Sequence, residues 1–174
     1  MSTAKTSPRG QSGQDEPISE FDREVALLLR AENRDPFRLL GPHISEDGDW
    51  KRLVVRGFFP RASEAFVVIE GDTNPISARR VAPEGLFEAT LPFSPELPIS
   101  PTRYRWRVRE ADQPERDLHD TYAFPPLLSD FDLHLMGEGT HYQKYEKMGA
   151  HLAVVEGVTG TQFGVWAPNG SAAT

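Results

Sequence analysis

Hydrophobic and polar positions divide the chain into a helical opening, a long stretch of period two, and a mixed segment that returns to period two near its end. Met1 to Pro17 holds Ser, Gly, Gln, Lys and Pro with almost nothing to bury, so a disordered tail is expected over residues 1–17. From Ile18, the residues Phe21, Val25, Leu28 and Leu29 fall on one helical face, while Arg23, Glu24, Arg30 and Glu32 fall elsewhere. This predicts an amphipathic helix over 18–34, with Ser19 and Asp22 placed like a capping box. Its apolar stripe needs a surface, either the rest of its own domain or a partner. In Asp35-Pro36-Phe37-Arg38-Leu39-Leu40-Gly41, Asp35 can cap, Pro36 suits a first helical position and Gly41 supplies a left-handed stop. A single turn presenting Phe37 and Leu40 to the core is expected there.

From Trp50 the period changes to two. Lys51 to Phe59 reads as a strand, with a bulge or close backbone contact at Gly57, and Ala65 to Ile69 is short and apolar enough for a buried strand. Gly71 to Pro75 is turn chemistry. Arg79 to Ala82 and Leu86 to Leu91 read as a hairpin pair, and Pro92 to Pro101 as a loop. Arg103 to Arg109 alternates most cleanly, with Tyr104, Trp106 and Val108 on one face and four arginines on the other. Leu118 to Phe124 reads as the closing strand, stopped by Pro125-Pro126, which cannot donate ladder hydrogen bonds. Short strands at regular spacing without intervening helices predict a mainly β protein: an antiparallel immunoglobulin-like β-sandwich over 35–125.

Beyond it, Leu127, Leu128, Phe131, Leu135 and Met136 can share one helical face, and Thr140 to Met148 is a second short helical candidate stopped by Gly149. A helical connector is therefore expected over 126–151. Thr161 to Trp166 alternates again, with Thr161, Phe163 and Val165 on one face and Gln162, Gly164 and Trp166 on the other. It reads as the first strand of a second sandwich over 152–174, lacking every partner strand, with poorly protected backbone groups over Val158 to Thr174.

Composition narrows the function classes. A net charge of −7 in 174 residues argues against a general phosphate-binding surface, so no nucleic acid partner is expected. No apolar run approaches the roughly 20 residues of a membrane helix, and no secretory signal opens the chain. With no cysteine, disulfides and thiolate metal sites are out, and a cytoplasmic protein is the natural expectation.

The motifs carry a resemblance. Asp35-Pro36-Phe37 with Leu40-Gly41-Pro42-His43, then Tyr122-Ala123-Phe124-Pro125-Pro126, Gly137-Glu138-Gly139, Tyr145-Glu146, Gly149-Ala150-His151 and Gly164-Val165-Trp166-Ala167-Pro168-Asn169 follow one another in order. Together they resemble the N-terminal region of bacterial glycogen branching enzymes (1,4-α-glucan branching enzymes). The resemblance implies a parent enzyme that cuts an α-1,4-glucan and rejoins the piece through an α-1,6 linkage, with paired carboxylates on a barrel. None of that barrel is in this sequence, so no catalytic residue and no cofactor is assigned, and a truncated chain inactive alone is expected. The implied role is a non-catalytic accessory region that positions the catalytic domain of the same polypeptide and holds α-glucan weakly. The alternatives are a stand-alone carbohydrate-binding module, or a protein-interaction domain using the Phe21-Val25-Leu28 stripe.

Sugar-binding sandwiches stack glucose rings on exposed aromatics. Trp106 shares a face with Tyr104 and Val108 and reads as core; Trp166 belongs to the unfinished sheet. Trp50, at a strand entrance after the polar run Ser45 to Asp49, is the candidate carbohydrate platform. The arginine face of the 103–109 strand reads as solvated or matched by carboxylates. Asp130, Asp132 and His134 invite a metal or acid/base reading, but positions two apart share no helical face and a third ligand is lacking, so no metal is expected.

Overall fold

A computed structural model describes residues 19–47, 50–92 and 100–165; the tail expected over 1–17 and Trp166 lie outside them. Helix α1, Glu20–Leu29, begins at Ser19, whose hydroxyl accepts from the Asp22 amide at 3.1 Å and donates to the Asp22 carboxylate. Phe21, Val25 and Leu28 pack on Leu39, Leu40, Ala82 and Leu86, so the amphipathic stripe lies against its own domain. The Arg56 guanidinium sits 5.0 Å from the Phe21 ring centroid.

Pro36–Arg38 forms a single 3-10 turn. Here the sequence expectation is corrected in two details. Asp35 makes no side-chain cap; instead its amide donates to Asn33 Oδ1 at 2.9 Å. The core receives Leu39 and Leu40, while Phe37 stays 41% exposed.

Strands β1 (Gly41–Asp47), β2 (Trp50–Phe58), β3 (Ala62–Ile69), β4 (Ile76–Ser77), β5 (Arg79–Ala82), β6 (Leu86–Leu91), β7 (Tyr104–Glu110) and β8 (Arg116–Leu118) follow. They form two four-stranded antiparallel sheets, ordered β1-β2-β6-β5 and β4-β3-β7-β8. Between the sheets lie Val55, Phe87, Ala89 and Leu91 from one and Ala65, Val67, Trp106 and Val108 from the other. The chain is thus an antiparallel β-sandwich, as its period-two pattern predicts. Trp106 is 1% exposed. Gly57 produces no bulge, since β2 and β6 stay in register across it; a Cβ there would fall 2.6 Å from the Phe59 ring and 2.9 Å from Trp106. Two aromatic rings, rather than backbone, occupy that space.

On the outer face of β7, Arg107 holds Asp117 through two hydrogen bonds of 2.7 and 2.9 Å, and Arg109 pairs with Glu115 and Glu64. Carboxylates of neighbouring segments thus match this part of the arginine face.

Strand β1 is absent from the sequence reading. Its polar residues and Pro42 hide the pattern, which an edge strand paired on one side can tolerate. The closing strand is also shorter than expected. β8 stops at Leu118, and Thr121–Ala123 is a 3-10 turn capped by Asp120.

After the double proline come helix α2 (Asp130–Glu138), a 3-10 turn at Lys144–Glu146, and strands β9 (Gly149–Val155) and β10 (Val158–Gly164). The expectation of a lone strand is overturned. β10 pairs with β9 along its whole length, from Val158↔Val155 to Gly164↔Gly149. The expected alternation survives: Thr161, Phe163 and Val165 are exposed and Gln162 and Gly164 are half-buried. Among the described residues no helix is long and apolar enough to cross a membrane.

Candidate functional site

The exit from the sandwich is organised by a buried carboxylate. Asp120 is 3% exposed, and its Oδ2 accepts from the Tyr104 hydroxyl at 2.6 Å and the Trp106 indole at 3.1 Å. Its Oδ1 accepts from the Tyr122 amide at 2.9 Å, capping the 3-10 turn. Burial, reinforced by the Asp120 charge, drives the Tyr104 hydroxyl far above its ordinary pKa, so it stays a donor. Two core aromatics on β7 therefore hold the segment that leaves the sandwich.

That segment interlocks with the turn before β1. Gly41 has φ +87°, and a Cβ there would sit 2.8 Å from the Tyr122 carbonyl oxygen, so close approach as well as conformation requires glycine. Phe37 meets Tyr122 edge to face, with centroids 5.3 Å apart, and His119 meets Phe124 at 6.2 Å. Two sequence-distant motifs thus build one aromatic patch. It walls a cleft of about 690 Å³ whose near side includes Phe37, His119 and Phe124 and whose far side includes Val155, Val158 and Gln162 of the hairpin.

A second arrangement lies in the connector. The Ser129 hydroxyl accepts from the Asp132 amide, while the Asp132 carboxylate accepts from the Ser129 amide at 2.9 Å and hydroxyl at 2.7 Å, a full capping box. Nε2 of His141 lies 3.0 Å from the other Asp132 oxygen, and Lys147 Nζ stands 3.7 Å away. The His141 hydrogen bond, followed by those from Ser129, holds the Asp132 carboxyl well below the usual carboxylate range. A pocket of about 330 Å³ lies beside it, lined by Met136, Gly139, His141, Lys144, Tyr145 and Met148.

Comparison with known proteins places this geometry in a family. Residues 22–122 match the family described as alpha-1,4-glucan branching enzyme GlgB, N-terminal domain. The chain belongs to this GlgB N-terminal domain family. Among relatives named 1,4-alpha-glucan branching enzyme GlgB, that of Rhodospirillum rubrum is 40% identical over 151 residues, which is 86% of this chain and 20% of the relative. One from a Bradyrhizobium strain is 43% identical over 153 residues, 87% of this chain and 20% of the relative. One from Trichormus variabilis is 42% identical over 147 residues, 84% of this chain and 18% of the relative. The chain therefore spans about a fifth of the length of the GlgB relatives it matches.

Against this GlgB-type frame the candidate residues fall as follows. Trp50 opens β2 directly opposite Asp47, at the end of the β1–β2 hairpin, and its side chain lies outside the described ones. Ser45, Glu46 and Asp47 of the polar run before it thus belong to β1. Asp130, Asp132 and His134 do not converge: Asp132 turns to Ser129 and His141, whereas His134 lies 3.5 Å from Glu138. Among the described residues no group of three His, Asp or Glu side chains could hold a metal. Sequence reasoning missed Asp120 and the Asp132–His141 pair. The only available signal was an Asp just ahead of the Tyr122 motif and a His nine residues beyond Asp132.

Proposed function

We propose that this chain is the non-catalytic accessory region of a glycogen branching enzyme, which orients the catalytic domain of the same polypeptide in the cytoplasm. The observation that carries the reading is the family match over the sandwich, together with relatives named as branching enzymes of which the chain spans about a fifth. The geometry supports it. An aromatic patch fixes the sandwich exit, and the following hairpin turns Leu152, Val154, Phe163 and Val165 outward, an apolar face suited to covering by further polypeptide.

Two arms test the role. In an iodine-stain assay on amylose, this chain alone leaves the stain unchanged; loss of stain would refute the non-catalytic reading. Substituted for the corresponding region of the Rhodospirillum rubrum relative, it supports branching that deletion of that region impairs. A chimera no better than the deletion would refute the orienting role.

Weak α-glucan binding is a second element of the proposal. It is favoured by aromatic side chains in two solvent-open hollows of the exit and connector. Affinity electrophoresis in a glycogen gel tests it, with Trp50→Ala deciding whether the β1–β2 hairpin end is the platform. The protein-interaction alternative is less favoured, because Phe21, Val25 and Leu28 lie half-buried against the domain's own core.

A further inference from the structure

His141 presents an unsolved accounting problem. Its side chain is 8% exposed, and its Nε2 is taken by Asp132. Because that carboxylate is an acceptor, Nε2 donates to it, and Nδ1 is left to find a partner of its own. Nδ1 is buried and has no hydrogen-bond partner. A buried polar atom in this state is costly and calls for a partner.

The chemistry of the walls narrows the partner. Met136, Met148 and the ring of Tyr145, which is largely exposed, are apolar, and Lys144 brings a cationic donor. Among the described residues a metal ion finds no ligand set, and Asp132, which bonds His141, already serves Ser129 and Lys147. What fits is a ring with an apolar C–H face for Tyr145 and hydroxyls that donate to nitrogen, which describes a pyranose. The pocket volume, about 330 Å³, is at the small end of small-molecule sites.

We propose that the pocket between α2 and the Lys144–Glu146 turn is a subsite for one glucosyl unit of an α-1,4-glucan. This rests on the glucan-binding reading above and gives it a location separate from Trp50. The ring stacks on Tyr145, one hydroxyl donates to His141 Nδ1, and Lys144 donates to a ring or hydroxyl oxygen. Since Nδ1 is closed to solvent, engagement displaces neighbouring side chains.

The test is an NMR titration of the ¹⁵N-labelled chain with maltotriose, with cellotriose as a β-linked control. Expected are shifts of the amides from Gly139 to Met148 and a change in the His141 Nδ1 resonance with maltotriose, and much smaller ones with cellotriose. Tyr145→Ala weakens binding roughly tenfold, while Tyr145→Phe retains it, as loss of an aromatic face predicts. Shifts confined to other residues would overturn this subsite and leave glucan binding standing. No shift anywhere would overturn both. Equal response to cellotriose would overturn the α-linked assignment, and unchanged affinity in Tyr145→Ala would overturn the stacking geometry.

Discussion

At the scale of single residues, the most consequential side chain is Asp120, which joins three donors from two elements. Asp120→Ala leaves the Tyr104 hydroxyl and Trp106 indole buried without their acceptor, and each such loss costs about 1–3 kcal/mol. A total destabilisation of about 3 kcal/mol is expected, read in urea unfolding as a lower midpoint at unchanged slope. A variant within experimental error of the parent would show that water replaces the carboxylate. Periodicity made the burial of Trp106 and Tyr104 legible, because alternation along one strand is a local property. Asp120 was not legible, because its importance comes from donors 14 and 16 positions earlier on a different strand. The expectation that Phe37 faces the core fails for a similar reason: which side of a three-residue turn points inward depends on α1 and β5–β6 around it.

At the scale of elements, the connector is held by the Asp132 carboxylate, which ties the start of α2 to His141 and the approach to β9. Its folded-state pKa lies below the ordinary value of about 3.9, so its stabilisation is present at neutral pH and is lost as acid protonates it. The difference in connector protection between the parent chain and Asp132→Asn is therefore expected to be full near neutrality. It should shrink as the pH falls below about 4. Amide exchange of Leu133 and Lys147 across that range checks it, and a difference that grows in acid would contradict the assignment. The neighbouring hairpin has both strands paired but one face uncovered, with Leu152 88% and Phe163 76% exposed. An isolated two-stranded hairpin is marginal in water. Its amides are expected to exchange well ahead of those of β7, though slower than an unpaired strand would. Here the sequence was half readable. β10 alternates and declared itself, whereas β9 has the consecutive apolar run Leu152 to Val155, which by itself fits helix or strand.

At the scale of the whole molecule, a two-sheet sandwich with its own core is followed by elements that have few buried apolar residues. None of the residues in α2, β9 or β10 is fully buried, while β2, β3, β6 and β7 all contribute to the central cluster. Stability should follow that division, since cooperative opening begins where buried apolar contacts are sparse. Within the described residues, limited trypsin digestion is thus expected to cut first after Lys144 or Lys147, between the helix and the hairpin. The arginines of β7 should be spared, because strand pairing and the ion pairs of Arg107 and Arg109 hold them in the sheet. The product should retain the fluorescence of a buried Trp106 and an unfolding midpoint close to that of the intact chain. Simultaneous loss of tryptophan burial with the first cleavage would instead mean that the hairpin supports the sandwich. In that case the cleft between them would be a structural seam rather than a surface open to ligand or to further polypeptide.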